Sequence, residues 1–213
     1  AIVELKKKYK FYIYLDEAHS IGCTGTTGRG VTEFFNIDLK YIDVMMGTFT
    51  KSFGSCGGYI AADKKIIDFV REKSYCCYYG VSIAPAVCAQ IIASICVLTG
   101  KIGNDIGKIK LLKLRENILY FRSKLKRMGF IIYGHDYSPV VPLMIYIPGQ
   151  LSAFSRLMLE HNVAVVVVGF PATSILSSRA RFCISSCHNK EMLDHVLNAI
   201  DIVGTRIGMK YKI

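Results

Sequence analysis

The chain has 213 residues, 52% of them hydrophobic, and its 27 basic and 16 acidic side chains give a formal charge of +11. That length and apolar content exclude a disordered tail and allow one domain, or one and a half. The positive balance raises two partners, nucleic acid and an anionic membrane surface. However, the basic residues are scattered over Lys6–Lys8, Lys108–Arg115 and Arg122–Arg127, and no RNA- or DNA-recognition module is visible, so no nucleic-acid partner is expected. A larger protein cut so that its acidic half is missing accounts for the same charge.

The chain opens AIVELKKKYKF, without Met and without the ordering of a signal or transit peptide. FYIYLD (11–16) predicts a buried, aromatic-rich strand, and EAHSIGCTGTTGRG (17–30) a glycine-rich loop. YIDVMMGTF (41–49) and GGYIAAD (57–63) predict two more strands, and KKIIDFVREKS (64–74) a helix. Residues 80–100 carry no charge over 21 positions, the length of a membrane span. Pro85 near the start leaves only about 15 residues for a helix, so a helix buried in a core or subunit interface is expected instead. A long helix follows over about 105–128, with apolar residues at helical spacing and Gly129 as its stop.

Beyond 128 the texture changes. FIIYG (130–134), VVPLMIYI (140–147), VAVVVVGF (163–170) and RARFCISS (179–186) predict strands. LSAFSRLMLEHN (151–162) predicts a helix, and 189–208 a closing amphipathic helix capped by Asn189. The expected organisation is a strand-rich α/β part over 1–128 and a small α+β domain over 129–213.

Eight cysteines, at 23, 56, 76, 77, 88, 96, 183 and 187, show no CxxC spacing. No metal site is expected, and the thiols read as reduced, packed as small hydrophobes in a cytosol-facing protein.

The chemistry concentrates in two stretches. YLDEAH puts Asp16 at the carboxyl end of a strand, where ligands sit in open α/β sheets. GTFTKSFGSCGGY (47–59) puts Lys51 just beyond a second strand, among small and hydroxylated residues. A lysine for a Schiff base, a carboxylate to pair with a ring nitrogen, and hydroxyls for a phosphate are what an aldehyde cofactor needs. Taken singly, a lysine among glycines is also an ordinary loop residue, and an aspartate at a strand end an ordinary turn former.

Together, DEAHS (16–20) and GTFTKSFGSCGGY (47–59) resemble the α-oxoamine synthases, pyridoxal-phosphate enzymes of the aspartate-aminotransferase-like fold. IDVMMGTFTKSFG, GFIIYG, SPVVPLMIYIP, VVVVGFPAT and SRARFCISSCH extend the likeness from about residue 12 to 205, toward the catalytic-subunit branch of the serine palmitoyltransferases. The resemblance implies an α/β chain: part of the large cofactor domain, followed by the small α+β domain. It implies pyridoxal 5'-phosphate as cofactor, and L-serine and a long-chain acyl-CoA as substrates, condensed with loss of CO2 to 3-ketosphinganine. It further implies a heterodimer with a non-catalytic relative at the cytosolic face of the endoplasmic reticulum membrane, attached through regions absent from this chain. Other members of the family use glycine or alanine, and a truncated inactive copy would carry the same motifs.

By the same resemblance Lys51 is the Schiff-base lysine and the acid/base for the α-proton, its amine helped toward neutrality by burial. Asp16 pairs with the pyridine nitrogen, and His19 bonds the ring's phenolic oxygen. Thr48 holds phosphate, with Thr50 or Ser52 nearby, and Ser82 reaches the phosphate of the partner's cofactor. Arg181 grips the amino-acid carboxylate, with Arg179 on the same strand face as the alternative. Residues 171–173 (PAT) form the substrate-closing loop. Two positions depart from the pattern: Val81 stands where a polar residue is usual, and Ser174 follows PAT in place of proline. The family's upstream half is missing, and with it some of the cofactor contacts. The isolated chain is therefore expected to expose strand edges and an apolar face, and to fold poorly, associate or be inactive.

Overall fold

The computed structural model describes residues 1–210. Packing divides the chain into two compact units, Ala1–Leu111 and Leu112 onward.

The first unit begins with a helix that the sequence reading did not assign, α1 (Ile2–Tyr9), closed by Lys10 in the left-handed conformation at φ 55. Lys6 ties it down, donating 2.9 Å to the Tyr41 carbonyl and forming an ion pair with Asp43. β1 (Tyr14–Asp16) is shorter than FYIYLD, because the Ile13 carbonyl accepts both the Asp43 and Val44 amides and the ladder starts only after it. A short helix α2 (Val31–Phe34) ends the glycine-rich loop. β2 (Val44–Thr48) is shorter than 41–49, because Leu39–Tyr41 is wound into a 3-10 turn capped by Asp38. β3 (Gly58–Ala62) completes a sheet of order β1-β2-β3, with β1–β2 parallel and β2–β3 antiparallel. Gly47, the fourth of five residues in β2, has no room for a Cβ, which would come within 2.5 Å of the Tyr59 side chain.

Helices α3 (Lys64–Lys73), α4 (Tyr75–Tyr79) and α5 (Pro85–Leu98) follow. α5 has 14 residues with proline in its first turn, as expected. Among the described residues no helix is long and apolar enough to cross a membrane. Only Ile91 of α5 is buried, so the expected burial in a core is not met within this chain. The cysteines likewise are free thiols but not core residues. Cys23, Cys88 and Cys96 are half-buried and the other five exposed, because the elements carrying them have few buried positions.

The long helix α6 (Ile106–Arg127) crosses the division between the units at Leu111, whereas the expected domain boundary near 128 lies at its carboxyl end. Gly129 does stop it, at φ 84. In the second unit, β4 (Val140–Met144), α7 (Pro148–Glu160), β5 (Val166–Val168), β6 (Arg179–Cys183) and α8 (Lys190–Arg206) form an antiparallel sheet of order β4-β6-β5 with helices. FIIYG contributes only an isolated bridge, Ile132 with Leu143, because the Tyr133 and Gly134 carbonyls are taken by the buried Arg122 guanidinium. α7 starts earlier than expected, at Pro148. α8 is capped as expected: Asn189 accepts from the Met192 amide at 2.8 Å. The unit's core is contiguous: Ile118, Phe121 and Leu125 of α6, Val141 and Leu143 of β4, Phe154 and Met158 of α7, Ala180 of β6, and Leu197 and Ile200 of α8.

Candidate active site

β1 and β2 run parallel with Asp16 opposite Met46, so both strands leave the sheet at one edge, Asp16 from β1 and Thr48 from β2. Asp16 is exposed, and its Oδ1 accepts the Ala18 amide at 2.8 Å, which fixes the carboxylate. Its other oxygen has no hydrogen bond among the described residues. Thr48 is the opposite case: its Oγ1 is buried and has no hydrogen-bond partner among the described residues. A buried hydroxyl without a partner is uncommon and marks either strain or an unfilled ligand position.

Lys51 follows in a tight turn. The Lys51 carbonyl accepts from the Gly54 amide at 3.1 Å, with Gly54 at φ 60. Ser55 N–H reaches the Phe49 carbonyl and Phe49 N–H the Gly57 carbonyl, both at 2.9 Å, so the excursion from β2 to β3 is closed by backbone bonds. The Ser52 hydroxyl donates to the Ile21 carbonyl at 2.7 Å, binding the lysine turn to the loop that follows β1. Close approach there requires Gly22, at φ 77, since a Cβ would meet Ser52 Cβ at 2.5 Å. Phe53 is buried and packs edge-on against Phe49 at 5.6 Å. Lys51 itself is exposed rather than buried, and its Nζ makes no hydrogen bond or ion pair among the described residues.

His19 is exposed at the same edge, within a segment organised from below by Glu17, which is fully buried. Both Glu17 carboxylate oxygens accept the Val31 amide at 3.1 Å, and Ser20 Oγ donates to one of them. A Cβ at Gly30 would lie 2.3 Å from this carboxylate, so the glycine at φ 90 is required. Burial, reinforced by the Glu17 charge, pushes the Tyr59 hydroxyl up. Burial likewise pushes the Cys23 thiol up. Glu33 closes the glycine-rich loop, accepting Thr26 and Thr27 hydroxyls at 2.8 Å and the Arg29 amide at 3.0 Å. Burial raises its carboxyl, but those hydrogen bonds outweigh it, and the group sits below the usual carboxylate range. The sequence reading missed Glu17 and Glu33; an acidic residue beside a glycine-rich loop was the available signal.

Ser82 lies exposed in the irregular segment between α4 and α5, next to Val81, which is 99% exposed. In the second unit, Arg181 and Arg179 share one face of β6, while Ala180 and Phe182 are buried on the other, as their alternation predicts. Arg181 is exposed and pairs with Pro142 and Val166 in the ladders; Arg179 is half-buried and its Nε has no hydrogen-bond partner among the described residues. In the 171–174 loop, the Thr173 hydroxyl is also buried and unbonded, and Ser174 donates to Ser177 at 2.7 Å.

Residues 1–200 match the family model of aminotransferase class I and II. The chain belongs to that family. It is 55% identical over 210 residues to serine palmitoyltransferase 3 of Mus musculus, covering 99% of this chain and 37% of that protein. To serine palmitoyltransferase 2 of Dictyostelium discoideum it is 50% identical over 210 residues, covering 99% of this chain and 43% of that protein. The chain thus spans about two-fifths of the length of these curated relatives. Among solved structures, serine palmitoyltransferase of S. paucimobilis with a bound PLP–myriocin adduct superposes with a TM-score of 0.87 at 27% identity, covering 97% of this chain and 50% of that chain. The aspartate-aminotransferase-like fold expected from DEAHS and GTFTKSFGSCGGY is therefore the fold of this family member.

Proposed function

We propose that this chain carries the lysine-bearing part of a pyridoxal-phosphate-dependent acyltransferase that condenses L-serine with a long-chain acyl-CoA, palmitoyl-CoA in the type case. The products are 3-ketosphinganine, CO2 and free CoA. The observation that carries the reading is the shared sheet edge, with Asp16 ending one strand, Thr48 ending its parallel neighbour and Lys51 in the turn just beyond. Identities of about half to serine palmitoyltransferases support the substrate class.

The residues fit the cofactor. Thr48 Oγ1, buried and without a partner, suits a phosphate oxygen, and Asp16 suits a protonated ring nitrogen. When bound, pyridoxal phosphate supplies an aldehyde for an amine and a ring that spreads the electron pair left on Cα. Lys51 Nζ anchors the cofactor, then takes and returns the Cα proton. The Asp16 carboxylate would hold the ring nitrogen in its protonated form, and His19 would bond the phenolic oxygen. By the resemblance, Arg181 would bind the serine carboxylate, a role its forked guanidinium suits. Ser82 completes the phosphate site of a partner subunit. The reading includes a heterodimer with a non-catalytic relative at the cytosolic face of the endoplasmic reticulum membrane.

The test is borohydride trapping of added pyridoxal phosphate followed by peptide mapping, then an assay of serine, glycine and alanine with palmitoyl-CoA. Label on Lys51 that disappears in Lys51→Ala, with turnover of serine above the other two, is the expected result. Label spread over surface lysines would overturn the assignment of the site. Preference for glycine or alanine would overturn the substrate.

A further inference from the structure

Helix α5 is almost wholly apolar, yet Gln90 and Ser94 interrupt it four residues apart, on one face. Both side chains converge on one acceptor, the Phe53 carbonyl: Ser94 Oγ donates to it at 2.9 Å and Gln90 Nε2 at 3.3 Å. Gln90 Nε2 also reaches Ser94 Oγ at 3.3 Å, so the two form a small network rather than independent contacts. One turn earlier the Val87 carbonyl accepts the Ser55 hydroxyl at 3.2 Å. Two positions in the lysine turn, 53 and 55, are thus fastened to α5, while position 52 is fastened to the Ile21 carbonyl on the other side.

The placement has a purpose that burial does not explain. A lysine has four rotatable bonds and a strongly hydrated head, so its reach is defined only as well as the backbone beneath it. Lys51 is exposed, and among the described residues no hydrogen bond or ion pair fixes its tip. What is fixed is its base: a turn closed by the Gly54 amide and clamped on both flanks.

We propose that Gln90 and Ser94 are positioning residues for Lys51, holding its turn at the sheet edge so that the amine meets the reacting carbonyl in productive geometry. This rests on Lys51 being the reactive lysine. Effective molarity falls steeply when a reacting group is displaced by even an ångström, so the clamp acts on reactivity and not only on stability.

The test compares the whole chain with Ser94→Ala/Gln90→Leu and with Ser94→Thr, which keeps the hydroxyl. Ser94→Ala alone serves if the double variant does not fold. Hydrogen exchange of the Gly54 amide reports the turn. Borohydride-trapped pyridoxal phosphate, mapped by peptide, reports the share of label on Lys51. Expected are roughly tenfold faster Gly54 exchange and a roughly tenfold smaller Lys51 share of label, the order of effect for losing the hydrogen bonds that fix a turn. Ser94→Thr should recover both. A folded variant whose Lys51 share of label equals the parent's, whether or not its turn loosens, overturns the proposal. If the parent itself shows no preference for Lys51, the function proposed above fails instead, and the positioning role with it.

Discussion

Asp16 and Met46 are register partners in the parallel pair β1–β2, so the Asp16 carboxylate, Thr48 and Lys51 leave the sheet at one edge. Asp16→Asn tests what the charge does there, because asparagine keeps an oxygen for the Ala18 amide. A hydrogen bond to a charged group is worth roughly 1.5–3 kcal/mol, so binding of pyridoxal phosphate should weaken about ten- to a hundredfold. The melting temperature should hardly move, since Asp16 is exposed. A spectroscopic titration with the cofactor measures this, and an unchanged dissociation constant would remove Asp16 from the site.

Glu33 gives the glycine-rich loop a pH dependence of known sign. Hydrogen bonds from Thr26, Thr27 and Arg29 overcome its burial and depress the folded carboxyl below its ordinary value of 4.5. A depressed acid contributes stability that is fully present above the unfolded value and is lost as pH falls through the folded one. Protection of the Arg29 amide should therefore be flat near neutrality and decline in the acid range below about pH 4.5. In Glu33→Gln that dependence should vanish. Hydrogen exchange at several pH values decides it; the same acid decline in the variant would assign it to another group.

How much of this was visible in the sequence depends on the range of the interaction. The strand ends carrying Asp16 and Thr48, the Asn189 cap and the Gly129 stop were legible because each is set by a few neighbouring residues. The Arg179/Arg181 face was legible from alternation alone. α1 was not, because it is held by Lys6 reaching Tyr41 and Asp43, more than 30 residues away. The Phe53 carbonyl bonds to Gln90 and Ser94 are of the same kind, and no local pattern announces them. FIIYG has a strand's composition, yet its Tyr133 and Gly134 carbonyls go to Arg122, while the Ile131 carbonyl still accepts the Met144 amide of β4.

Arg122 is the largest single polar commitment in the second unit. It is 2% exposed and its guanidinium donates to the carbonyls of Tyr133, Gly134, Ser138 and Val140, at 2.8–3.4 Å. Burial pulls its pKa down, with Asp136 opposing. Arg122→Met leaves the Tyr133, Gly134 and Ser138 carbonyls to find water or remain unpaired, while Val140 keeps the Ser138 hydroxyl at 3.2 Å, and a net loss of about 3 kcal/mol is expected. Arg122→Lys should restore little, since an ammonium cannot serve a forked set of acceptors. Denaturant unfolding of the three proteins gives the comparison. A Met variant within about 0.5 kcal/mol of the parent, the range of ordinary surface substitutions, would show that the 133–140 loop does not depend on the guanidinium.

The segment around α4 should govern self-association. Tyr75, Tyr78 and Tyr79 are 80%, 77% and 76% exposed and adjoin Val81 at 99%, so large apolar side chains stand together in water. Contiguous exposed apolar surface of this kind marks an interaction surface or an aggregation liability. Both edges of the β1-β2-β3 sheet add unpaired strand, which favours the same outcome. The isolated chain should therefore elute as oligomers in size-exclusion chromatography with light scattering. Replacing Tyr75, Tyr78 and Val81 by lysine should shift it toward the monomer, through repulsion and loss of apolar area. A parent that is a monodisperse, cooperatively melting monomer would contradict this expectation. Oligomers unaffected by the three lysines would move the contact to the sheet edges.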